Sequence, residues 1–507
     1  MSLQAAPRVC IVGAGPCGLA TLKAFKDYPH TRSWDVVAFE AKTDVGGVWV
    51  PDPHPPVPPS HSGEASGNIP SSPIYDSLTT NLPHHIMAFY THAFPDTEIP
   101  LFPPHQVVRK YIRDYAERFD LLRYVRFGTR VTKARFVEEP RGWRVRSREE
   151  NGCSGTRNGD ADGEGEGEFF DYLLVCAGHY NHPRTPAWEG LPKWENKRRR
   201  VIHSIYYRNP DPYKGQTVLV VGDGPSARDI SAELEPVAKQ IHRSFPCPPP
   251  PTAGHDGMYN TPVLHSRISR FDPVTGHVRF EDGSVAEDVD TVLAATGYEF
   301  VYDFLRHRAL PALQWHMVPT IDPQAYADVK ANAESQPVPA YDGQRGGMVG
   351  GKPEEAAHDH PSDLHDPSPP PSPPRILFLG APSKVAPFPL FEVQAIAATR
   401  MLAGKFDYAH PSASSAESAL QSIGTASSLP TTATYDFRRA TTTHVLDDKQ
   451  WAFCDALAQA SGVFPEQWSV RAWVPPLYAV KASLREAARF VGKQWKEQQE
   501  QAGMQAA

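Results

Sequence analysis

The chain has 507 residues, of which 40% are hydrophobic and 21% are charged, as expected for a globular protein with a large core. Its formal net charge of −7 argues against a general nucleic-acid binder, because such proteins need a basic surface. The sequence has no apolar run of membrane-spanning length and no signal-type leader, and its six cysteines show no CxxC spacing. We therefore expect a soluble, cytoplasmic protein with no membrane anchor and no metal site.

The first forty residues predict a strand, a helix and a second strand. The turn between the first strand and the helix runs Gly13-Ala-Gly15-Pro-Cys-Gly18. In such a turn the first glycine permits the tight bend, the second lets a pyrophosphate approach the helix start, and the third lets helix and strand pack closely. Glu40 lies 22 residues beyond Gly18, where a carboxylate can accept hydrogen bonds from ribose hydroxyls. The complete unit favours an adenine dinucleotide site over a plain strand-to-helix turn.

The segments that follow alternate between apolar patterns and loops. Apolar spacing predicts a helix over Val107–Phe119, short strands over Val125–Val145 and a buried strand over Tyr172–Ala177. Pro51–Pro73 and residues 151–168 are rich in Pro, Ser, Gly or acidic residues, and we interpret both as loops.

A second strand, turn and helix begins at Thr217–Val221 and continues through Gly222-Asp-Gly224-Pro-Ser226-Ala. Alanine is allowed at the third glycine position of the fingerprint. The helix is predicted from residue 228 to about 238, and Ser226 is interpreted either as a phosphate ligand or as a helix cap. The next strand, over residues 240–245, carries Arg243 instead of an acid. An arginine there suits a 2′-phosphate and favours NADPH over NADH, although a surface cation without a ligand is the alternative.

The rest of the chain mixes ordered and low-complexity segments. Apolar patterns predict strands over Asp290–Ala295 and Ile376–Gly380, a helix over Phe391–Leu402 and an amphipathic helix over Lys481–Glu497. Residues 327–374 are rich in Pro, Gly, Asp and His, which predicts a disordered insertion. Its histidines are interpreted as solvated and not as metal ligands; they are His358, His360 and His365. Its proline runs are compatible with a weak SH3 or WW contact, although a spacer role is preferred.

Two dinucleotide units in one chain predict FAD as the resident cofactor and NADPH as the hydride donor. The predicted fold is α/β, with two Rossmann-like domains and Pro-rich insertions. The predicted division is an FAD domain at 1–205, an inserted NADPH domain at 206–300, a return to the FAD domain at 301–326, the insertion at 327–374 and completion of the FAD domain at 375–507. Cys17 is interpreted as a small packing residue in the first turn.

Several short segments resemble, in order, the motifs of one family. These are Gly46-Gly47-Val-Trp49, Tyr75 to Asn81-Leu-Pro83, Met87 to Pro95, Cys176 to Tyr180, His203-Ser204 with Tyr207, and Ala295-Thr296-Gly297-Tyr298. The chain is similar to class B flavoprotein monooxygenases, and within that class to the flavin-containing monooxygenases. The resemblance covers about residues 8–300 and resumes at 376–402. Tyr207 favours this family over the Baeyer–Villiger enzymes.

The resemblance implies a mechanism and roles for individual residues. NADPH reduces FAD, O2 adds to form a C4a-hydroperoxyflavin, and a thiol, sulfide or amine takes the distal oxygen. Asn81 would contact the flavin and the retained nicotinamide, with a turn residue as the alternative. Trp49 would pack over the FAD or in the core, and Gln394 would lie near the cofactors or on a helix surface. The resemblance also assigns Gly47, Thr296 and Gly297 to cofactor binding.

The sequence departs from the family pattern Phe-x-Gly-x-x-x-His before His203, because Arg199 and Lys197 stand at the Gly and Phe positions. Trp194 is interpreted as the displaced aromatic. The altered segment belongs to the linker between the two domains, so the departure bears on how efficiently the two domains are coupled. His203 is interpreted as a structural or hinge residue.

The sequence therefore predicts an enzyme that uses O2 and a small-molecule substrate. The alternatives are a Baeyer–Villiger ketone oxygenase and a catalytically degraded flavoprotein scaffold. The substrate is not identified by the sequence, and a homodimer is compatible with it.

Overall fold

In a computed structural model, the described residues are 5–52, 56, 58, 69–95, 99–150, 167–246, 262–305, 376–381, 385–406, 450–463, 474–481, 483–485 and 487–488. The predictions of a disordered insertion at 327–374, with its histidines and proline runs, lie outside these residues. So do nearly all of the acidic loop at 151–168 and much of the loop at 51–73. The predicted C-terminal helix lies largely outside them too.

The strands and helices are as follows in chain order. The strands are β1 (Arg8–Val12), β2 (Asp35–Phe39), β3 (Val125–Arg126), β4 (Thr129–Glu138), β5 (Arg141–Glu149), β6 (Glu168–Phe170), β7 (Tyr172–Val175), β8 (Arg200–His203), β9 (Thr217–Val221), β10 (Gln240–Ser244), β11 (Val263–His265), β12 (Ile268–Phe271), β13 (Val278–Phe280), β14 (Val285–Ala286), β15 (Thr291–Ala294) and β16 (Ile376–Phe378). The α-helices are α1 (Pro16–Asp27), α2 (His84–Met87), α3 (His105–Arg118), α4 (Leu191–Trp194), α5 (Pro225–Leu234), α6 (Pro387–Leu402), α7 (Gln450–Ala460) and α8 (Val474–Ala479).

The first sheet has five parallel strands in the order β16-β7-β1-β2-β3. Its central strands are short, apolar and almost entirely buried, the pattern of a parallel sheet covered on both faces. Helices α1 and α6 pack against one another over one face. The chain leaves this sheet after β7 and returns to it with β16, more than 200 residues later.

The second sheet also has five parallel strands, in the order β11-β10-β9-β15-β8. Helix α5 joins β9 to β10, so the turn at Gly222 stands in this sheet where the turn at Gly13 stands in the first. Strand β8 belongs to this sheet and begins at Arg200, ahead of residue 206. The observed α/β architecture with two parallel sheets confirms the predicted fold class, whereas the exact domain boundaries stay predictions.

Helix bounds differ from the predicted ones at several ends. Helix α3 spans His105–Arg118 instead of Val107–Phe119, and α5 ends at Leu234 instead of about residue 238. Helix α5 begins at Pro225 and α6 begins at Pro387, three and four residues before the predicted starts. In both, proline occupies the first turn, where its missing N–H costs no hydrogen bond, so proline marks a helix start and not a loop. The small strands β11–β14 and helices α7 and α8 were not predicted. No helix in the described part of the chain has the length and apolarity needed to cross a membrane.

Candidate functional site

The first glycine turn joins β1 to α1 with very close backbone contacts. Gly13 has φ +99°, and a Cβ on it would lie 2.7 Å from the carbonyl oxygen of Cys176. A Cβ on Gly18 would lie 2.0 Å from the carbonyl oxygen of Gly13, so this contact requires glycine. Cys17 is buried in the core beside this turn, as predicted for a packing residue.

Gly15 has a different reason to be glycine. It is the N-cap of α1 with ordinary backbone angles, φ −70° and ψ −175°, which any residue can adopt. A Cβ on it would lie 3.4 Å from the Cα of Gly47, an ordinary contact. The protein itself therefore does not exclude a side chain at Gly15. Because Gly15 has no side chain, the N–H groups of this helix start can be approached closely, which suits a pyrophosphate.

Glu40 is 6% exposed and holds the turn through two backbone donors. Its Oε2 accepts from the Ala14 N–H at 2.8 Å, and its Oε1 accepts from the Lys42 N–H at 2.9 Å. Burial raises the pKa of Glu40, while these two donors act in the opposite direction. A carboxylate has about four lone-pair positions, so two remain for ribose hydroxyls. Glu40 thus organises the turn in addition to its predicted ligand role.

Lys42 was not identified in the sequence. Its Nζ donates to the carbonyl oxygens of Gly47 at 2.9 Å and Val50 at 2.6 Å, which holds the Gly-Gly-x-Trp segment against the first turn. Burial lowers the pKa of Lys42. Trp49 is half-buried and packs against the first core, so the structure is compatible with both of its predicted roles.

Asn81 lies on an exposed turn between two anchored segments. The Thr80 N–H donates to the Pro103 carbonyl at 3.0 Å, and the buried Leu82 and Pro83 follow. The Asn81 side chain is exposed and makes no hydrogen bond to any residue that the structure describes. Its amide is therefore available as both donor and acceptor, as the predicted role requires.

The second glycine turn is more open than the first. Gly222 has φ +128°, and a Cβ on it would lie 2.4 Å from the carbonyl oxygen of Ala295. Gly224 is the N-cap of α5, and no described atom lies within 4 Å of its hypothetical Cβ. Ser226 is exposed in the first turn of α5, and its side chain does not cap the helix. The space around Gly224 fits a second pyrophosphate.

Arg243 lies on β10, next to this turn. Its Nε and Nη2 are buried and have no hydrogen-bond partner among the described residues, although Nη2 lies 3.5 Å from Asp223 Oδ1. Its Cζ lies 5.2 Å from the centre of the Phe245 ring. Burial lowers the pKa of Arg243. A buried guanidinium with unused donors needs an anionic acceptor, and a 2′-phosphate is one that fits.

The Ala-Thr-Gly-Tyr segment is held by two neighbouring segments. The Arg184 side chain donates to the Thr296 carbonyl from Nε at 3.1 Å and from Nη2 at 2.9 Å. His203 Nε2 lies 3.0 Å from the Gly297 carbonyl, and the Ile205 N–H donates to its Nδ1 at 3.1 Å. Burial lowers the pKa of His203 to about 4, so the ring is neutral, with Nε2 as its donor. This arrangement suits the predicted structural role of His203.

Gln394 is buried on α6, so the helix-surface interpretation is wrong. Its Oε1 accepts from the Gly380 N–H at 3.0 Å, which ties α6 to the end of β16. The helix face that carries Gln394 points inward because α6 packs against α1, a tertiary contact that local spacing did not reveal.

We call the part of the chain built on the second sheet the second unit. Trp194 is fully buried in its core, and the Trp194 Nε1–H donates to the Gly276 carbonyl at 2.8 Å. The Arg199 guanidinium lies 5.4 Å from the centre of its ring, whereas Lys197 is exposed. An aromatic side chain therefore does anchor this linker, at a position shifted along the chain.

A polar network joins the segment before Asn81 to the second unit. The Tyr75 hydroxyl donates to Asp229 Oδ2 at 3.2 Å, and the Tyr207 hydroxyl donates to Glu233 Oε2 at 2.8 Å. Ser77 donates to the other carboxylate oxygen of Glu233. Asp229 and Glu233 both lie on α5, whose start carries the second glycine turn. The network fixes the Asn81 turn relative to the predicted NADPH unit.

Comparison with known proteins is consistent with this geometry. The model of the family described as FMO-like, flavin-binding monooxygenase-like, matches residues 6–245. The chain is 34% identical over 305 residues to flavin-containing monooxygenase FMO GS-OX5 of Arabidopsis thaliana, a match that covers 59% of this chain but only 61% of that relative. It is 31% identical over 417 residues to FMO GS-OX-like 9 of Arabidopsis thaliana, which covers 80% of this chain and 77% of that relative.

Two solved structures share the fold. The S-allyl-L-cysteine S-oxygenase from Allium sativum superposes with a TM-score of 0.67 at 23% identity, over 95% of this chain and 93% of that one. Tmm from Pelagibacter sp. strain HTCC7211 superposes with a TM-score of 0.59 at 21% identity, over 89% of this chain and 86% of that one. The chain therefore belongs to the flavin-containing monooxygenase family, a family of flavin-binding oxidoreductases.

Proposed function

We propose that the chain oxygenates a soft nucleophile, with a thioether sulfur as the first candidate, in a reaction that consumes NADPH and O2. The observation that carries the proposal is the presence of two glycine helix starts, at Gly15 and Gly224, on two parallel sheets linked beside Asn81. When bound, FAD reduced by NADPH supplies the O2 chemistry.

The chain's own residues bind and orient the two cofactors in this proposal. Gly13, Gly15 and Gly18 shape the first turn, and Glu40 accepts from the adenosine ribose while it holds that turn. The Gly47 and Trp49 segment, fixed by Lys42, forms the neighbouring wall. These groups position a cofactor and move no proton.

The second set of residues receives the nicotinamide dinucleotide. Gly222 and Gly224 leave room for its pyrophosphate, and the Ser226 hydroxyl can donate to a phosphate oxygen. The unpartnered donors of Arg243 receive the 2′-phosphate, which sets the preference for NADPH. Thr296 and Gly297 form a wall of the nicotinamide site, held in place by His203.

Asn81 is the proposed catalytic residue, and it lies between the two proposed cofactor sites. Its exposed amide donates and accepts hydrogen bonds without titrating, so it can orient both rings over a wide pH range. Gln394 supports the site from α6, because its Oε1 accepts a hydrogen bond from the Gly380 N–H. No nucleophile from the protein is required, because the oxygen transferred comes from O2.

A sulfur substrate is favoured by the names of the relatives. The Allium sativum enzyme is an S-oxygenase of S-allyl-L-cysteine, a thioether, and it shares the fold over most of both chains. Thiols and amines are the other soft nucleophiles in the proposal, and ketone oxygenation is the alternative reaction.

The experiment is a product screen with labelled O2. The holoenzyme is supplied with NADPH and, in separate reactions, a thioether, a thiol, a tertiary amine and a cyclic ketone. A sulfoxide that carries one labelled oxygen supports the proposal, and a lactone selects the ketone alternative. Purified protein that retains FAD but oxidises no NADPH with any of these substrates selects the alternative of a catalytically degraded scaffold.

A further inference from the structure

Beyond α8, one arginine of the C-terminal segment reaches into the interface between the Asn81 turn and the second unit. Arg485 Nη1 donates to Asp229 Oδ1 at 3.2 Å, and its Nη2 donates to Asp229 Oδ2 at 2.7 Å. The same Nη2 donates to the carbonyl oxygen of Thr79 at 3.1 Å. One guanidinium therefore binds α5 and the backbone two residues before Asn81.

The pair is buried, which distinguishes it from the surface ion pairs of the chain. The side chains of Arg485 and Asp229 are 11% and 9% exposed, whereas those of a surface pair such as Arg123 and Asp120 are 61% and 60% exposed. A buried carboxylate that loses its cationic partner is strongly destabilised, while an exposed pair contributes little. The Tyr75 hydroxyl also donates to Asp229, but a hydroxyl does not neutralise the charge of a carboxylate.

The position of this contact connects it to both cofactor sites. Asp229 lies on α5 three residues after Ser226, so a shift of Asp229 moves the helix start that receives the nicotinamide dinucleotide. Thr79 is joined to Pro104 by a β-bridge and leads directly into the Asn81 turn. The bidentate geometry needs the planar fork of arginine, and a lysine ammonium can replace only part of it.

We propose that Arg485 is a positioning residue that holds α5 and the Asn81 turn in register, and thereby fixes bound NADP⁺ against the flavin. In this role it acts through its hydrogen bonds to Asp229 and Thr79. The inference rests on the proposed function. It predicts that Arg485 raises the fraction of consumed O2 that is transferred to the substrate and lowers the fraction that is released as hydrogen peroxide.

The test compares wild-type holoenzyme with the variants Arg485→Ala, Arg485→Lys, Asp229→Asn and Lys481→Ala, and with the double variant that combines Asp229→Asn and Arg485→Ala. Lys481 is the matched control, because it belongs to the same segment but donates to the nearby Tyr478 carbonyl. For each protein, three quantities are measured: FAD per chain, the Kd of NADP⁺ by titration of the flavin absorbance, and peroxide released per NADPH consumed.

We expect Arg485→Ala to retain FAD while the Kd of NADP⁺ rises about tenfold, equivalent to about 1.4 kcal/mol, with several-fold more peroxide. Arg485→Lys should fall between Arg485→Ala and wild type, and Lys481→Ala should match wild type. In the Asp229→Asn background, Arg485→Ala should have little further effect on the Kd.

The inference is overturned if Arg485→Lys and Arg485→Ala both match wild type in NADP⁺ affinity and peroxide release. It is also overturned if the variants lose FAD in proportion to NADP⁺, since that marks a general structural role. Should Arg485→Ala fail to fold, Arg485→Lys carries the same test. A wild-type protein that binds NADP⁺ but performs no oxygenation refutes the proposed function, while the NADP⁺ titration still decides the role of Arg485.

Discussion

Adding one methyl group at each of the two glycine helix starts should weaken the binding of one cofactor and leave the other bound. The variants are Gly15→Ala and Gly224→Ala, the two N-cap positions with extended backbone angles. The Cβ of Gly15→Ala makes ordinary contacts with Gly46 and Gly47, the nearest at 3.4 Å to the Gly47 Cα, and that of Gly224→Ala has no described atom within 4 Å. Neither backbone is strained, so the folded protein can accept both methyl groups.

The magnitudes follow from these distances. Alanine is a poorer N-cap than glycine but lowers the entropy of the unfolded chain, so we expect stability to change by about 0.5 kcal/mol or less. The methyl group instead occupies the space where a pyrophosphate approaches the backbone. Loss of one charge-assisted hydrogen bond costs about 1.5–3 kcal/mol, which is about a 10- to 100-fold loss of affinity.

The assay measures thermal unfolding, FAD per chain and the KM for NADPH on the same preparations. Gly15→Ala should purify with less FAD, and Gly224→Ala should retain FAD but show a KM for NADPH raised about 10-fold or more. Each variant is the other's control. If Gly224→Ala keeps the wild-type KM within a factor of two, the turn at Gly222 does not bind the nicotinamide dinucleotide and our reasoning is refuted.

Three further predictions address other parts of the site. Arg243→Gln should lower the ratio of kcat/KM for NADPH over NADH about tenfold, because the 2′-phosphate loses a charged partner; an unchanged ratio would assign Arg243 no ligand. Gly18→Ala, whose Cβ would lie 2.0 Å from the Gly13 carbonyl oxygen, should destabilise the protein by about 1–3 kcal/mol in urea unfolding, and wild-type stability would contradict the observed packing. Burial lowers the pKa of His203 to about 4, below its unfolded value, so the unfolded chain binds more protons in this range. The free energy of unfolding should therefore fall as the pH drops from about 6.5 to about 4. His203→Gln should lose less stability over the same pH range, and an equal loss would refute burial of His203 as the cause.

Local chemistry accounts for how far the sequence predicted this site. Gly18 is required by a contact with Gly13 in the same turn, and Gly13 has a positive φ that the tight bend imposes, although its closest contact is with the distant Cys176. The strands β1, β2 and β9 follow directly from their short apolar runs. These signals are local, so the two dinucleotide units and the α/β fold could be predicted without coordinates. The resemblance then supplied Asn81, which no local pattern identifies.

Interactions between distant segments were not predictable in the same way. The resemblance placed Gln394 near the cofactors, with the helix surface as the alternative, and only the tertiary structure shows that it is buried. In the sequence nothing distinguishes Lys42 from an ordinary surface lysine. The structure shows that its ammonium donates to two carbonyl groups. Trp194 was interpreted as the displaced aromatic from the sequence, but only the structure shows its ring buried, beside Arg199 and bonded to the Gly276 carbonyl.

The sequence alone determined the family, the two parallel sheets and the chemical types of the cofactor ligands, because glycine turns and apolar strands express their structural requirements within about forty residues. Only the tertiary structure decided how the two units are joined. Tyr75 and Arg485 meet Asp229 from positions 154 and 256 residues away, and contacts at such separations leave no periodic signal in the chain. Buried charges such as Asp229 are stabilised by whichever partners the fold brings to them, and those partners are set by the packing of the whole molecule.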